Sequence, residues 1–298
     1  MANPSSPEEL KLPWRRWAWL AVGTLVIGYL AVLVLFTVFQ RSLIYVPTHI
    51  TLAKAEQEAS HDGFIPWHNR AGQLIGWEMP AGTPSAGSVL IVHGNAGWAL
   101  NRAYMARPIH DAAPLDVYIL EYPGFGAREG APDEHSLLAA ADDAFSNLPK
   151  TAPVYVVSES LGTGVAAHLA AKNPSAVAGL ALFVPYDRLA SVAENHVPFL
   201  PSYFLLVDRF DPLEWLKNYH GPVEVIVAEA DEIIPPRLGR HLYDEYTGPK
   251  MLQVMPGARH AETTDENVAW WRDVLNFWQQ HPADVNRPSK PMAGLTPG

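Results

Sequence analysis

The sequence predicts an α/β domain: a mostly parallel central sheet with helices on both faces and a small cap insert, preceded by one N-terminal transmembrane helix. Three observations carry this. Residues 17–39 hold no charged side chain. Beyond them, strand-like apolar runs alternate with helical ones, as in a parallel sheet covered on both sides. Several of those runs are continuously apolar, which fits strands buried on both faces.

The first element is the run WAWLAVGTLVIGYLAVLVLFTVF at 17–39. As a helix it reaches roughly 34 Å, enough for a hydrocarbon core of ~30 Å with some tilt. Thirteen of its residues are Leu, Ile, Val or Phe. They favour insertion by roughly 4–8 kcal/mol, an upper figure because the scale applies at the bilayer centre. Trp14, Trp17 and Trp19 cluster at the entry like an interfacial belt. A cleaved signal would have ~7–15 apolar residues and a small-x-small site. Here the run ends Phe39-Gln40-Arg41, so a retained anchor is expected after a short segment, 1–16. Lys11, Arg15 and Arg16 precede it, and Arg41 and Lys54 follow. This bias places the N-terminus in the cytoplasm and the catalytic domain outside, on the periplasmic side of the inner membrane in a bacterium.

Strands are expected at 74–79, 88–92, 117–121, 154–157, 180–184, 223–228 and 251–255. Helices are expected at 134–148, which opens with acidic residues, at the Ala-rich 161–172, and at 265–280. The last carries Val268, Trp271, Leu275 and Trp278 at helical spacing. One domain over 42–280 accommodates all of them, and the Pro-rich tail 281–298 is expected to be disordered.

Composition removes several functions. The net charge is −10, which argues against a nucleic-acid partner. Residues 1–41 hold four basic and two acidic groups, so the remainder carries −12. With no cysteine, thiolate metal sites, disulfides and a Cys nucleophile are excluded. No metal or cofactor is expected.

The chemistry starts at VYVVSESLGTGVAAHLA, an apolar strand, a sharp turn and a small-residue helix. Ser158-Glu159-Ser160-Leu161-Gly162 resembles the G-x-S-x-G nucleophile elbow, with Ser160 as nucleophile and Ser158 where the motif has Gly. In such a site two backbone N–H groups hold the oxyanion. One belongs to the residue after the nucleophile, Leu161. The other is expected from His93-Gly94-Asn95-Ala96-Gly97, at Asn95. His93 itself reads as a structural hydrogen-bonder. Tyr122-Pro123-Gly124-Phe125-Gly126 lacks the frame of a phosphate loop and reads as a turn beside the site.

The acid and base should follow in the order Ser, Asp/Glu, His. Asp231 lies just past one strand and His260 just past the next, at the carboxyl ends where catalytic loops gather. Asp231 would hold the imidazole tautomer, and His260 would take the Ser160 proton. Asp187 is the rival acid. Glu229 and Glu232 are poorer choices. Residues 187–219 exceed a simple crossover and form the expected cap. Phe199, Leu200, Tyr203 and Phe204 line an apolar acyl pocket there, or else only seal the core.

HGNAGWALNR, EYPGFGAREGAPDE, SESLGTGVA, VPFLPSYFLLVDRFDPLEWLKN and ADEIIPPRLGRHLYDE follow one another in order. Together they resemble the membrane-anchored α/β-hydrolase-domain proteins over about residues 42–280. The resemblance implies the α/β-hydrolase fold and a serine hydrolase of ester, thioester or lysophospholipid-type substrates, without cofactor. Ser158 for Gly, and Glu121 for the Asp common before the Tyr-x-Gly-x-Gly turn, are departures. The same triad would also serve an amidase or peptidase, and a membrane-tethered scaffold without turnover is the other alternative.

Overall fold

The structure, a computed structural model, describes residues 14–82, 84–150, 152–263 and 267–283. Lys11 and the tail from 284 onward lie outside the described residues. The chain divides into two compact units, Met1–Gln40 and Arg41–Gly298.

The first unit is dominated by α1 (Trp14–Ile44), whose last residues belong to the second. The stretch Arg16–Ile44 reaches a mean hydropathy of 2.5 and is long and apolar enough to cross a membrane. Its two threonines return their hydroxyls to the helix: Thr24 Oγ1 donates to Leu20 O and Thr37 Oγ1 to Leu33 O, both at 2.9 Å. Each hydroxyl proton thus has an acceptor within the helix itself.

The second unit is an eight-stranded sheet. Its strands are β1 (Ile65–His68), β2 (Leu74–Met79), β3 (Gly87–Val92), β4 (Leu115–Leu120), β5 (Val154–Glu159), β6 (Val177–Phe183), β7 (Val223–Ala228) and β8 (Lys250–Met255). The spatial order is β8-β7-β6-β5-β3-β4-β2-β1. All neighbours from β8 to β4 run parallel, while β2 and β1 are antiparallel additions. The sequence reading lacks β1. Its Pro66 argues against a strand there, but an edge strand tolerates a proline.

Helices α2 (Leu52–Asp62), α3 (Ala103–Ala112), α4 (Glu134–Asn147), α5 (Gly162–Lys172), α6 (Leu189–His196), α7 (Ser202–Leu205), α8 (Pro212–Trp215), α9 (Pro236–Glu245) and α10 (Val268–Gln280) complete the unit. On one face, α2, α3 and α10 bury Val89, Ile91, Val117, Ile119, Tyr155 and Val157. On the other, α5 and α9 pack on β5 and β7, with α4 against α5. Every residue of β3, β5 and β7 is buried, which explains why polar residues are few in them. α10 is capped by Asn267, which accepts from Ala269 N and Trp270 N, while residues 265 and 266 of the expected helix lie outside the described residues.

Candidate active site

Three side chains from three strand ends meet at the carboxyl edge of the sheet. Ser160 follows β5 directly and has φ 52°, a left-handed conformation unusual for a residue with a side chain. Such backbone costs about 1–3 kcal/mol and persists only when its surroundings enforce it. They do so here. Ser160 N donates to Phe183 O at 2.9 Å, and Thr163 N donates to Ser160 O at 2.9 Å. The following helix passes so close to β3 that a Cβ at Gly162 would sit 2.3 Å from Val92 O. A Cβ at Gly164 would meet Phe210 Cδ1 at 2.5 Å. Both helix positions therefore have to be glycine. Ser158, which replaces the motif's first glycine, is fully buried, and its Oγ finds no partner among the described residues.

His260 opens a short 3-10 turn after β8. Its Nε2 lies 3.1 Å from Ser160 Oγ, and its Nδ1 lies 2.8 Å from Asp231 Oδ2. With Nδ1–H donating to the carboxylate, Nε2 is left to accept the serine proton. The Asp231 side chain is 2% exposed. Its second oxygen accepts from Ile233 N and Ile234 N, each at 2.8 Å, so the carboxylate is fixed by its own loop.

The rival acid is engaged elsewhere. Asp187 Oδ2 lies 2.8 Å from His241 Nδ1, and its other oxygen accepts from Arg188 N. Glu229 accepts from Gly257 N, and Glu232 from Arg259. His93 is buried beneath the loop, with Nδ1 2.8 Å from Gly94 O and its ring 4.2 Å from that of Tyr122. Burial lowers its pKa to about 3, which leaves it neutral near pH 7.

The loop after β3 runs against the elbow: a Cβ on Gly94 would lie 3.5 Å from Ser160 Cβ. Asn95 is held on both sides, its Nδ2 donating to Ile44 O at 2.7 Å and its carbonyl accepting from Val46 N at 2.8 Å. Leu161 begins the turn of α5, where N–H groups have no intrahelical acceptor.

Two features escape sequence reasoning. Arg102 forks onto Glu159, the residue before Ser160, with Nε–Oε2 at 2.7 Å and Nη2–Oε1 at 2.9 Å. Its Nη1 donates to Ala96 O at 3.0 Å. A charged residue inside the elbow pentapeptide was the available signal. Glu121 is fully buried and accepts from Ala99 N at 3.0 Å, and burial raises its pKa to about 8.

Of the four residues expected at an acyl pocket, Leu200 is buried, while Phe199, Tyr203 and Phe204 are 63%, 55% and 77% exposed. Among the described residues, no group of three His, Asp or Glu is arranged to hold a metal ion.

Comparison with known proteins gives a consistent picture. A family described as alpha/beta hydrolase fold matches residues 87–230. An uncharacterized protein of Mycobacterium tuberculosis is 34% identical over 229 residues, which cover 74% of this chain and 80% of the relative. The lysophosphatidylserine lipase ABHD12 of Macaca fascicularis is 29% identical over 199 residues, 59% of this chain but only 50% of that protein. Among solved structures, the Pyrococcus furiosus esterase Pf2001 superposes with a TM-score of 0.57 at 15% identity, covering 81% of this chain and 98% of the esterase. At that identity the likeness is one of fold.

Proposed function

From the premise that this chain belongs to the α/β-hydrolase superfamily, we propose that it is a membrane-anchored serine hydrolase that cleaves carboxylic ester or thioester bonds of acyl, lipid-like substrates. The observation that carries the reading is the relay Ser160 Oγ, His260 Nε2 and Nδ1, Asp231 Oδ2, at 3.1 and 2.8 Å.

In this reading Ser160 Oγ attacks the substrate carbonyl while its proton passes to His260 Nε2. Asp231 holds the imidazole and stabilises it once charged. The tetrahedral oxyanion forms against the N–H groups of Asn95 and Leu161, each worth roughly 2.7–4 kcal/mol at the transition state. His260 then gives its proton to the leaving alcohol or thiol, and an acyl group remains on Ser160. Water, deprotonated by the same imidazole, releases the carboxylic acid. Leu200, with Phe199, Tyr203 and Phe204, belongs to the cap over the acyl chain.

The lipid-like substrate class rests on α1 and on the lipase among the relatives, of which this chain spans half. α1 is the anchor in this reading, with the N-terminus cytoplasmic and the catalytic unit outside. The −12 charge of residues 42–298 disfavours anionic lipid surfaces, so the helix and not charge holds the enzyme at the bilayer.

A fluorophosphonate probe tests the assignment. Wild type should be labelled and Ser160→Ala should not. Equal labelling of the two would refute the nucleophile.

A further inference from the structure

We propose that residues 44–50 are a positioning element of the active site: their main-chain hydrogen bonds hold the loop 93–97 so that the Asn95 N–H meets the carbonyl attacked by Ser160. The inference rests on the hydrolase reading given above and deepens it. It gives a catalytic consequence to a stretch that supplies no reacting group.

An oxyanion donor acts best when it is aimed before the charge forms. The loop 93–97, His-Gly-Asn-Ala-Gly, is poorly suited to aim itself, because glycines at 94 and 97 leave its backbone free. Its peptide units are instead fixed from outside, one after another. Gly94 O accepts from His93 Nδ1 at 2.8 Å. In a trans peptide that carbonyl points opposite to the Asn95 N–H of the same plane. The next three carbonyls are all taken. Asn95 O accepts from Val46 N at 2.8 Å, Ala96 O from Arg102 Nη1 at 3.0 Å and Gly97 O from Thr48 N at 2.8 Å. Two of these three donors come from 44–50. The Asn95 side chain adds a fourth link, Nδ2 to Ile44 O at 2.7 Å. That oxygen is among the last carbonyls of α1, which have no donor within their own helix.

The same stretch reaches the turn beside the site. Gly126 N donates to Thr48 O and Ile50 N donates to Gly126 O, both at 2.9 Å, and His49 bridges to Gly126. Thr48 is thus bonded to both loops. Tyr122 OH, from that turn, donates to His93 O at 3.1 Å. Val46 pairs with Ala96 and Pro47 with Gly97 in a two-residue parallel ladder separate from the main sheet. Both ends of the stretch are secured. Tyr45 is buried, with its OH donating to Asp208 Oδ2 at 2.9 Å, and Ile50 packs against the core. Between them Val46, Thr48 and His49 are exposed. Their side chains bury little, so what the middle of the stretch provides is its main-chain groups.

The test compares variants of the full-length protein in detergent micelles. Thr48→Pro removes the N–H that donates to Gly97 O, and Asn95→Ala removes the amide that donates to Ile44 O. Asn95→Ala deletes only a side chain and carries the test alone if Thr48→Pro does not unfold cooperatively. Tyr246→Phe is the control. It removes the hydroxyl that donates to Gly221 O, just before β7 and so at the edge of the sheet opposite Ser160. The readouts are kcat and KM for p-nitrophenyl butyrate, the urea midpoint, and the rate at which a fluorophosphonate labels Ser160. In that labelling an O–P bond forms, fluoride leaves and the serine proton passes to His260. The phosphonyl oxygen meanwhile uses the N–H groups that would hold an oxyanion.

Thr48→Pro and Asn95→Ala should each lower kcat by about 10–100-fold, the range for a donor misplaced by about an ångström. KM should change by less than about threefold, because ground-state binding is untouched. Labelling should slow by a similar factor. Tyr246→Phe should lose stability yet keep kcat within about twofold of wild type. Wild-type kcat in both loop variants, with the wild type labelled at Ser160, overturns the proposal and leaves the hydrolase reading intact. So does a fall in kcat that merely follows the urea midpoint, with Tyr246→Phe impaired to the same degree. A wild type that the fluorophosphonate does not label removes the hydrolase reading and this proposal together.

Discussion

Arg102 grips Glu159 through two hydrogen bonds, Nε to Oε2 at 2.7 Å and Nη2 to Oε1 at 2.9 Å, while its third nitrogen holds Ala96 O at 3.0 Å. Glu159 immediately precedes Ser160, and Ala96 immediately follows Asn95. One side chain thus ties the loop after β3 to the turn that carries Ser160. Both partners are 11% exposed. Arg102→Met leaves a buried carboxylate without its partner, a loss of about 3–5 kcal/mol by the usual cost of breaking such a pair. Chemical denaturation should show that drop, and Arg102→Met with Glu159→Met should recover much of it. A double variant as unstable as the sum of the singles would show that the two side chains act independently.

Ser160 is expected to separate stability from activity. Ser160→Gly removes the side chain that makes φ 52° costly, so the melting temperature should rise, by an increment of about 1 kcal/mol or more. The same variant should lose turnover by at least ~10⁴-fold. A fall in melting temperature would mean that the elbow is not strained.

The two aspartates make an internal control. Asp231→Asn should leave the fold intact and lower kcat by about 10⁴-fold, because the amide favours the wrong imidazole tautomer. Asp187→Asn touches the His241 pair and the Arg188 N–H contact, not His260, and should retain most activity on a soluble ester. Comparable losses in both would unseat Asp231 as the partner of His260.

Glu121 should make stability depend on pH. Its carboxyl is held neutral by burial up to about 8 against an ordinary value of 4.5. In the unfolded chain it ionises from 4.5 upward, so between 4.5 and about 8 the folded state binds the extra proton. Stability therefore falls as pH rises through that window and levels off above it. Glu121→Gln should flatten this part of the profile of melting temperature against pH. A wild-type profile already flat from pH 5 to 8 would contradict the buried acid.

The sheet and the spacing of the site were readable for a common reason. Short apolar runs such as 154–157 and 225–228 fit strands buried on both faces, and their ends mark where loops such as the one with Asp231 must emerge. Choosing between Asp231 and Asp187 depends on side-chain direction, which the sequence does not encode locally. Only the structure shows one carboxylate turned to His260 and the other to His241. Arg102 and Glu159 stand 57 positions apart and belong to different motifs, so no periodicity links them. Phe199, Tyr203 and Phe204 look identical in sequence whether they face a pocket or the exterior. The structure shows all three exposed, Tyr203 and Phe204 within the short α7.

The left-handed backbone at Ser160 also limits where this site could drift. A β-branched side chain is the worst occupant of that conformation, whereas Asp and Asn are among the best tolerated after Gly. Threonine, the nearest chemical substitute for serine, is thereby shut out. Aspartate is admitted, and with it a carboxylate nucleophile. The shape of one turn, more than the reactivity of hydroxyls, decides which chemistries are one substitution away.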